Sequence, residues 1–365
     1  MNLPLLKQLS EAPGVPGREE RIRAILEKET ATLFDETTTD NLGSLIAVKR
    51  SKSPGAKKVL LACHIDEIGF YVKHIDDKTG HLRLNAAGGF DTRNLLARRV
   101  KVQASGAEQP GTPPTGLPTS VGHAPQRAQE DLIGLLNPGG RPIHIAKEED
   151  KKKIPEVTEF FVDLCLPADE VKKKVRIGDP VTLVQEFSEI GQCVSGKCLD
   201  NRVAAFVAIE ALRKAQNPKY DVILAATVQE EVGCRGAGPA AYAHEPDIAI
   251  AIDTTLCCDT PGVPEEERVT QQGAGCALTI MDSLTISNRD LIDEFEAVAR
   301  KRDIPFQLSI LPRGGTDAGP MQRSRSGIKT MTLSIPTRYI HTVTECIHKR
   351  DLQAAIDLLA AWLET

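Results

Sequence analysis

Five side chains of the metal-ligating types stand at recurring places in this chain. His64 ends the apolar run Val59-Leu60-Leu61-Ala62-Cys63. Glu230 and Glu231 follow an apolar run that begins at Val222 and ends at Val228. Asp253 follows Ile248-Ala249-Ile250-Ala251-Ile252, and His341 comes shortly after Met331-Thr332-Leu333-Ser334-Ile335. Asp200 sits where Gly196-Lys197-Cys198-Leu199 turns into a helical pattern. Clustered carboxylates repel one another and are costly to desolvate. Three carboxylates and one shared hydroxide would balance two dications, so the set makes electrostatic sense with metal in it, or with several carboxyls protonated. Imidazole nitrogen suits zinc, cobalt or nickel better than magnesium or calcium. Two such ions about 3.5–4 Å apart can share a hydroxide and polarise a carbonyl.

The elements that position these residues follow from the runs themselves. Short apolar runs bounded by polar residues read as buried parallel strands. Ligands collect at the carboxyl ends of such strands, so His64, Asp200, Glu231, Asp253 and His341 are expected at one edge of one sheet. Successive side chains on a strand face opposite ways. At a strand end, however, one of Glu230 and Glu231 can bind metal while its neighbour reaches the bound water as general base. Asp66, two residues past His64, could hold the other ring nitrogen of that histidine; it could also simply form a turn. Asp200 before a helix could be an N-cap. Thr316 and Asp317 could line the pocket or form an ordinary turn. The six remaining histidines, at 74, 81, 123, 144, 244 and 348, have no such context and read as structural or surface residues.

Helical spacing covers residues 16–34, the stretch after Asp200 through Val203, Phe206, Val207, Ile209 and Leu212, and a last segment through Leu352, Ile356, Leu359 and Leu363. Asn288 is a good N-cap for a helix carrying Leu291, Phe295 and Val298. Between Glu67 and residue 185 the pattern changes to short alternating runs such as Phe70-Tyr71-Val72 and Val100-Lys101-Val102, which suggest a compact antiparallel unit. The Pro- and Gly-rich stretch 104–128 reads as a loop. The fold expected is α/β, a mixed, largely parallel sheet covered by helices on both faces. The catalytic domain is expected to span 1–68 and 190–365, interrupted by a β-rich insert at 69–189.

At 365 residues the chain can bury a large core, and 41% apolar with 26% charged residues is ordinary for a globular protein. A net charge of −5 offers no basic excess for nucleic acid or an anionic membrane surface. Nine cysteines, without a Cys-x-x-Cys pair, read as reduced thiols. With no signal-peptide pattern at the start and no apolar stretch approaching 18 residues, a cytoplasmic location is expected. Gly191 to Cys198 nearly spells a phosphate-binding loop, but Cys198 stands where Ser or Thr must hold magnesium. No Gly-x-Ser-x-Gly elbow occurs.

Six blocks in order, His64-Ile-Asp66-Glu67-Ile-Gly69, Gly196 to Arg202, Gln229-Glu230-Glu231-Val-Gly233, Asp253 with Asp259 to Gly262, Gly314 to Gly319, and Arg338-Tyr-Ile-His341, resemble metallopeptidase family 42, the glutamyl-aminopeptidase and TET-type aminopeptidases. The resemblance implies that His64 and Asp253 bind one metal, Glu231 and His341 the other, and that Asp200 bridges both. Glu230 would be the general base and Asp66 would orient His64. It also implies short peptide substrates cut from the free amino end and an insert that builds a hollow homo-oligomer, often a dodecamer; for the two ions the imidazole donors point to zinc, with cobalt as the alternative. Asn201 stands where the family commonly has Asp. Two rival readings are a deacylase or glycan-acting hydrolase on the same metal scaffold, and an inactive metal-binding assembly protein. One Trp and four Tyr argue against a sugar cleft, and the presence of Glu230 argues against a mere scaffold.

Overall fold

The computed structural model describes residues 1–106 and 130–365. Most of the stretch read as a Pro-rich loop, and His123 with it, lies outside the described residues. The chain divides into two compact units, Met1–Glu67 with Gln185–Thr365, and Ile68–Val184.

The first unit is built on an eleven-stranded mixed sheet. Its centre is four parallel strands in the order Asp221–Thr227, Lys58–His64, Ile248–Leu256 and Lys329–Arg338. These are the apolar runs, and they are buried nearly from end to end because both faces are covered. Alternate residues of one strand feed different cores. Val59, Leu61 and Cys63 pack with the helices Leu199–Lys214, Arg289–Arg302 and Lys349–Leu363. Leu60 and Ala62 pack with the short helices Ala237–His244 and Ala318–Gln322. The antiparallel strands that flank the centre include Leu45–Lys49, Glu345–His348 and Cys193–Gly196. The helix expected over 16–34 is shorter, Glu20–Thr30, with turns on either side. Asn288 does cap its helix, accepting from Leu291 N–H at 3.2 Å.

The second unit is a closed antiparallel barrel. Its strands run in the order Gly69–Ile75, Leu82–Ala87, Phe160–Asp163, Glu130–Pro138, Arg98–Ala104 and Pro180–Leu183. Phe70, Leu84, Val100, Val162 and Val181 point into it and are buried, the alternation expected of strands with one wet face. No helix among the described residues is long and apolar enough to cross a membrane.

Candidate metal centre

The parallel strands end together, and the five ligand candidates gather there. His64 is the last residue of its strand. Asp253 lies inside its strand, three residues before the end. Glu230 and Glu231 follow Thr227 in a turn opened by Gln229, whose backbone is left-handed (φ 59°). His341, three residues past its strand, is left-handed as well (φ 63°), as is Cys198 (φ 53°) just before Asp200. Such conformations cost roughly 1–2 kcal/mol for a residue with a Cβ. Here they turn the chain at the points where the side chains must leave the sheet edge.

The atoms fall into two overlapping sets. One ligand atom each of His64, Asp200 and Asp253 lie within 4.8 Å of one another, and so do those of Asp200, Glu231 and His341. Asp200 belongs to both, and its two oxygens divide between them. Oδ1 is 3.4 Å from His64 Nε2, and Oδ2 is 3.3 Å from His341 Nε2. Asp253 Oδ1 is 3.8 Å from His64 Nε2, and Glu231 Oε1 is 3.4 Å from His341 Nε2. Glu230 Oε2 lies 3.8 Å from His64 Nε2, beside the first set, while the Cys234 thiol donates to Glu230 Oε1 at 3.1 Å. Asp200 and Asn201 have non-helical backbone angles where the helix starts, and the peptide bond between them is cis. The Asp200 carboxylate is turned toward the two imidazoles.

The protonation states record how much negative charge is crowded here. Burial pushes the Glu230 carboxyl up to about 8, and Asp317, Glu231 and Asp66 push in the same direction against His64. Burial likewise raises Glu231, and raises Asp253 far above the ordinary carboxyl range. Burial opposes the charge of Asp200 too, yet bonds from His341 and His64 overcome it and hold this carboxyl below the usual range. Burial pulls His341 down, and its bonds to Asp200 and Glu231 more than reverse this, holding it at about 11. Among the described residues these carboxylates pair with imidazoles and not with Lys or Arg. Dications would relieve that strain, and a donor set of two imidazole nitrogens with carboxylate oxygens fits zinc-like ions.

Asp66 does more than the sequence suggests. It is fully buried, and its two oxygens accept from the Glu230 and Glu231 backbone N–H groups at 3.0 Å each. Its Oδ1 stands 3.5 Å from His64 Nδ1, beyond hydrogen-bond distance, and that ring nitrogen has no hydrogen-bond partner. Three further carboxyls escape the sequence reading. Glu345 accepts from the backbone N–H of Asp200 and of His341, at 2.9 Å each. Glu67 joins Lys197, Cys198 and Gly14 beneath the loop that carries Asp200. Glu19 accepts from Gln229 N–H at 3.2 Å. Each acts on the backbone of a segment remote in sequence, so no spacing announces it. Asn201 donates to the Ile252 carbonyl at 2.8 Å, tying the helix start to the strand of Asp253.

The centre opens into a cleft of about 340 Å³ with Leu256, Leu311 and Ile340 on its walls and Arg313 and Thr316 beside them. Thr316 lines this cleft; Asp317 is buried behind it and accepts a hydrogen bond from the Thr227 hydroxyl.

Parallel strands ending in a ring of acids and imidazoles, open to a cleft, describe a hydrolase that handles its substrate at a sheet edge. Residues 43–136 and 126–358 match the family described as M42 glutamyl aminopeptidase, and the chain belongs to that family: it is a peptidase. It is 31% identical over 368 residues to the lysyl aminopeptidase of Pyrococcus furiosus, covering 99% of this chain and 96% of the relative. The aminopeptidase of the archaeon Desulfurococcus kamchatkensis superposes with a TM-score of 0.88 at 33% identity, over 99% of this chain and 94% of that one. The TET1 peptidase of Pyrococcus horikoshii, which can assemble into a tetrahedron or a large octahedral shell, superposes with a TM-score of 0.80 at 30% identity, over 98% of each chain.

Proposed function

We propose that this chain removes residues from the free amino end of short peptides with the help of two divalent cations. His64 and Asp253 would hold one ion, Glu231 and His341 the other, and Asp200 both. The observation that carries this reading is the division of the Asp200 carboxylate, one oxygen toward each imidazole. When bound, the ions act as Lewis acids that lower the pKa of a water between them and polarise the scissile carbonyl. The imidazole donors favour zinc, with cobalt as the alternative.

The chain's own residues supply the rest. Glu230 Oε2 faces the first set of ligands while Oε1 is occupied by the Cys234 thiol. The free oxygen is positioned to take a proton from the attacking water and to pass it to the leaving amine. Burial raises the proton affinity of this carboxyl, which suits a group that must hold the proton before delivering it. Asp66 fixes both backbone N–H groups of the Glu230–Glu231 turn, so base and ligand keep their separate directions. Leu256, Leu311 and Ile340 on the cleft walls would offer the substrate's first side chain an apolar surface. The enzyme works in the cytoplasm as a closed homo-oligomer, a dodecamer in the simplest case, with the inserted unit carrying the assembly.

Replacing Glu230 by Gln tests the reaction. Turnover should fall by roughly 10²–10⁴-fold while bound metal, counted on the same sample, stays unchanged. Near-normal turnover in Glu230→Gln would show that the base lies elsewhere.

A further inference from the structure

Glu230 also belongs to a third group of donors that the proposed reaction does not use as ligands. One atom each of Glu230, Cys234 and Asp317 lie within 4.8 Å of one another. The Cys234 thiol stands 3.1 Å from Glu230 Oε1. Two ligands of a tetrahedral ion bound at about 2.0–2.3 Å sit ~3.5 Å apart, so this pair is already close to the spacing required. Asp317 is 2% exposed; Thr227 bonds one of its oxygens, and Oδ1 has no hydrogen-bond partner. A buried carboxylate oxygen without a donor is costly, and Asp317 is grouped here with a thiol and a second carboxyl.

We propose that Glu230, Cys234 and Asp317 form an inhibitory site for a thiophilic dication, cadmium or excess zinc. The inhibitory part rests on Glu230 acting as the base. On binding, a metal–sulfur bond forms, the thiol proton leaves to solvent, and one oxygen of each carboxyl completes three protein ligands. The bound ion holds the Glu230 carboxylate, which then cannot receive a proton from water. Burial and the neighbouring carboxyls raise the Cys234 pKa, so only an ion with high affinity for sulfur displaces that proton. Magnesium should neither bind nor inhibit.

The test is a titration of cadmium chloride into the metal-loaded, full-length enzyme. Bound cadmium and retained native ions are counted together, with the ultraviolet thiolate-to-cadmium absorption and turnover followed in parallel. The expected result is a further cadmium, bound with that absorption, whose uptake tracks the loss of turnover. Cys234→Ala and the gentler Cys234→Ser should both lose the absorption and the extra ion, and should need about 10–100-fold more cadmium for inhibition. Thermal melting establishes that each variant is folded. No uptake beyond the native ions in the unaltered enzyme, or uptake and absorption unmoved in Cys234→Ser, overturns the site. If Glu230 is not the base, cadmium still binds through Cys234 but turnover survives, so the two readings fail separately.

Discussion

Glu19 shows what a single buried carboxyl costs next to this centre. It is 3% exposed, and its Oε1 accepts from the Gly17 and Gln229 backbone N–H groups. Burial pushes its pKa up to about 7, with Asp66 adding to the rise. Its folded value therefore exceeds its unfolded one, and the folded protein binds the proton more tightly. The stability this contributes is complete below the ordinary carboxyl pKa and is lost as pH rises to about 7. Glu19→Gln keeps an acceptor without the charge, so it should stabilise the protein by about 1–3 kcal/mol near pH 8 and by little near pH 5. Denaturant unfolding at the two pH values checks this, and an equal gain at both would contradict it.

At the scale of elements, the strand Glu345–His348 fastens two others. Glu345 holds the backbone of Asp200, at the start of one helix, and of His341, in the turn beyond Lys329–Arg338. Removing both acceptor oxygens in Glu345→Ala should weaken metal binding about 10–100-fold in competition with a chelator, since ligand-orienting groups contribute on that scale. Unchanged affinity would mean that the two turns hold without it. This clamp also marks the limit of what the sequence discloses. The central strands are legible because burial on both faces leaves runs such as Ile248 to Ile252, and Asn288 is legible because a cap acts within three residues. The Asp200 backbone N–H donates to the Glu345 carboxylate across 145 positions, which leaves no periodic trace. The strands Glu36–Thr39 and Ser188–Ile190 are nearly all exposed and polar, so they too carry no apolar signal. The direction of the Glu230 and Glu231 side chains was open in the sequence because it depends on the left-handed turn at Gln229.

For the whole molecule, the family places the chain among peptidases, and the related TET1 peptidase assembles into large shells. Exposed apolar side chains of the inserted unit, such as Ile133, Ile143 and Ile145, are candidates for burial between copies. Light scattering on the metal-loaded protein should give a mass many times that of one chain, twelvefold for the proposed dodecamer. A monomer at working concentration would remove the closed assembly from the account.

The central claim is that Asp200 stands between two ions. Anomalous diffraction at the absorption edge of the bound metal tests it without reference to activity. Two peaks about 3.5–4 Å apart are expected, one touched by His64 and Asp253, the other by Glu231 and His341, and both by Asp200. A single peak, or a pair away from the Asp200 carboxylate, would contradict it.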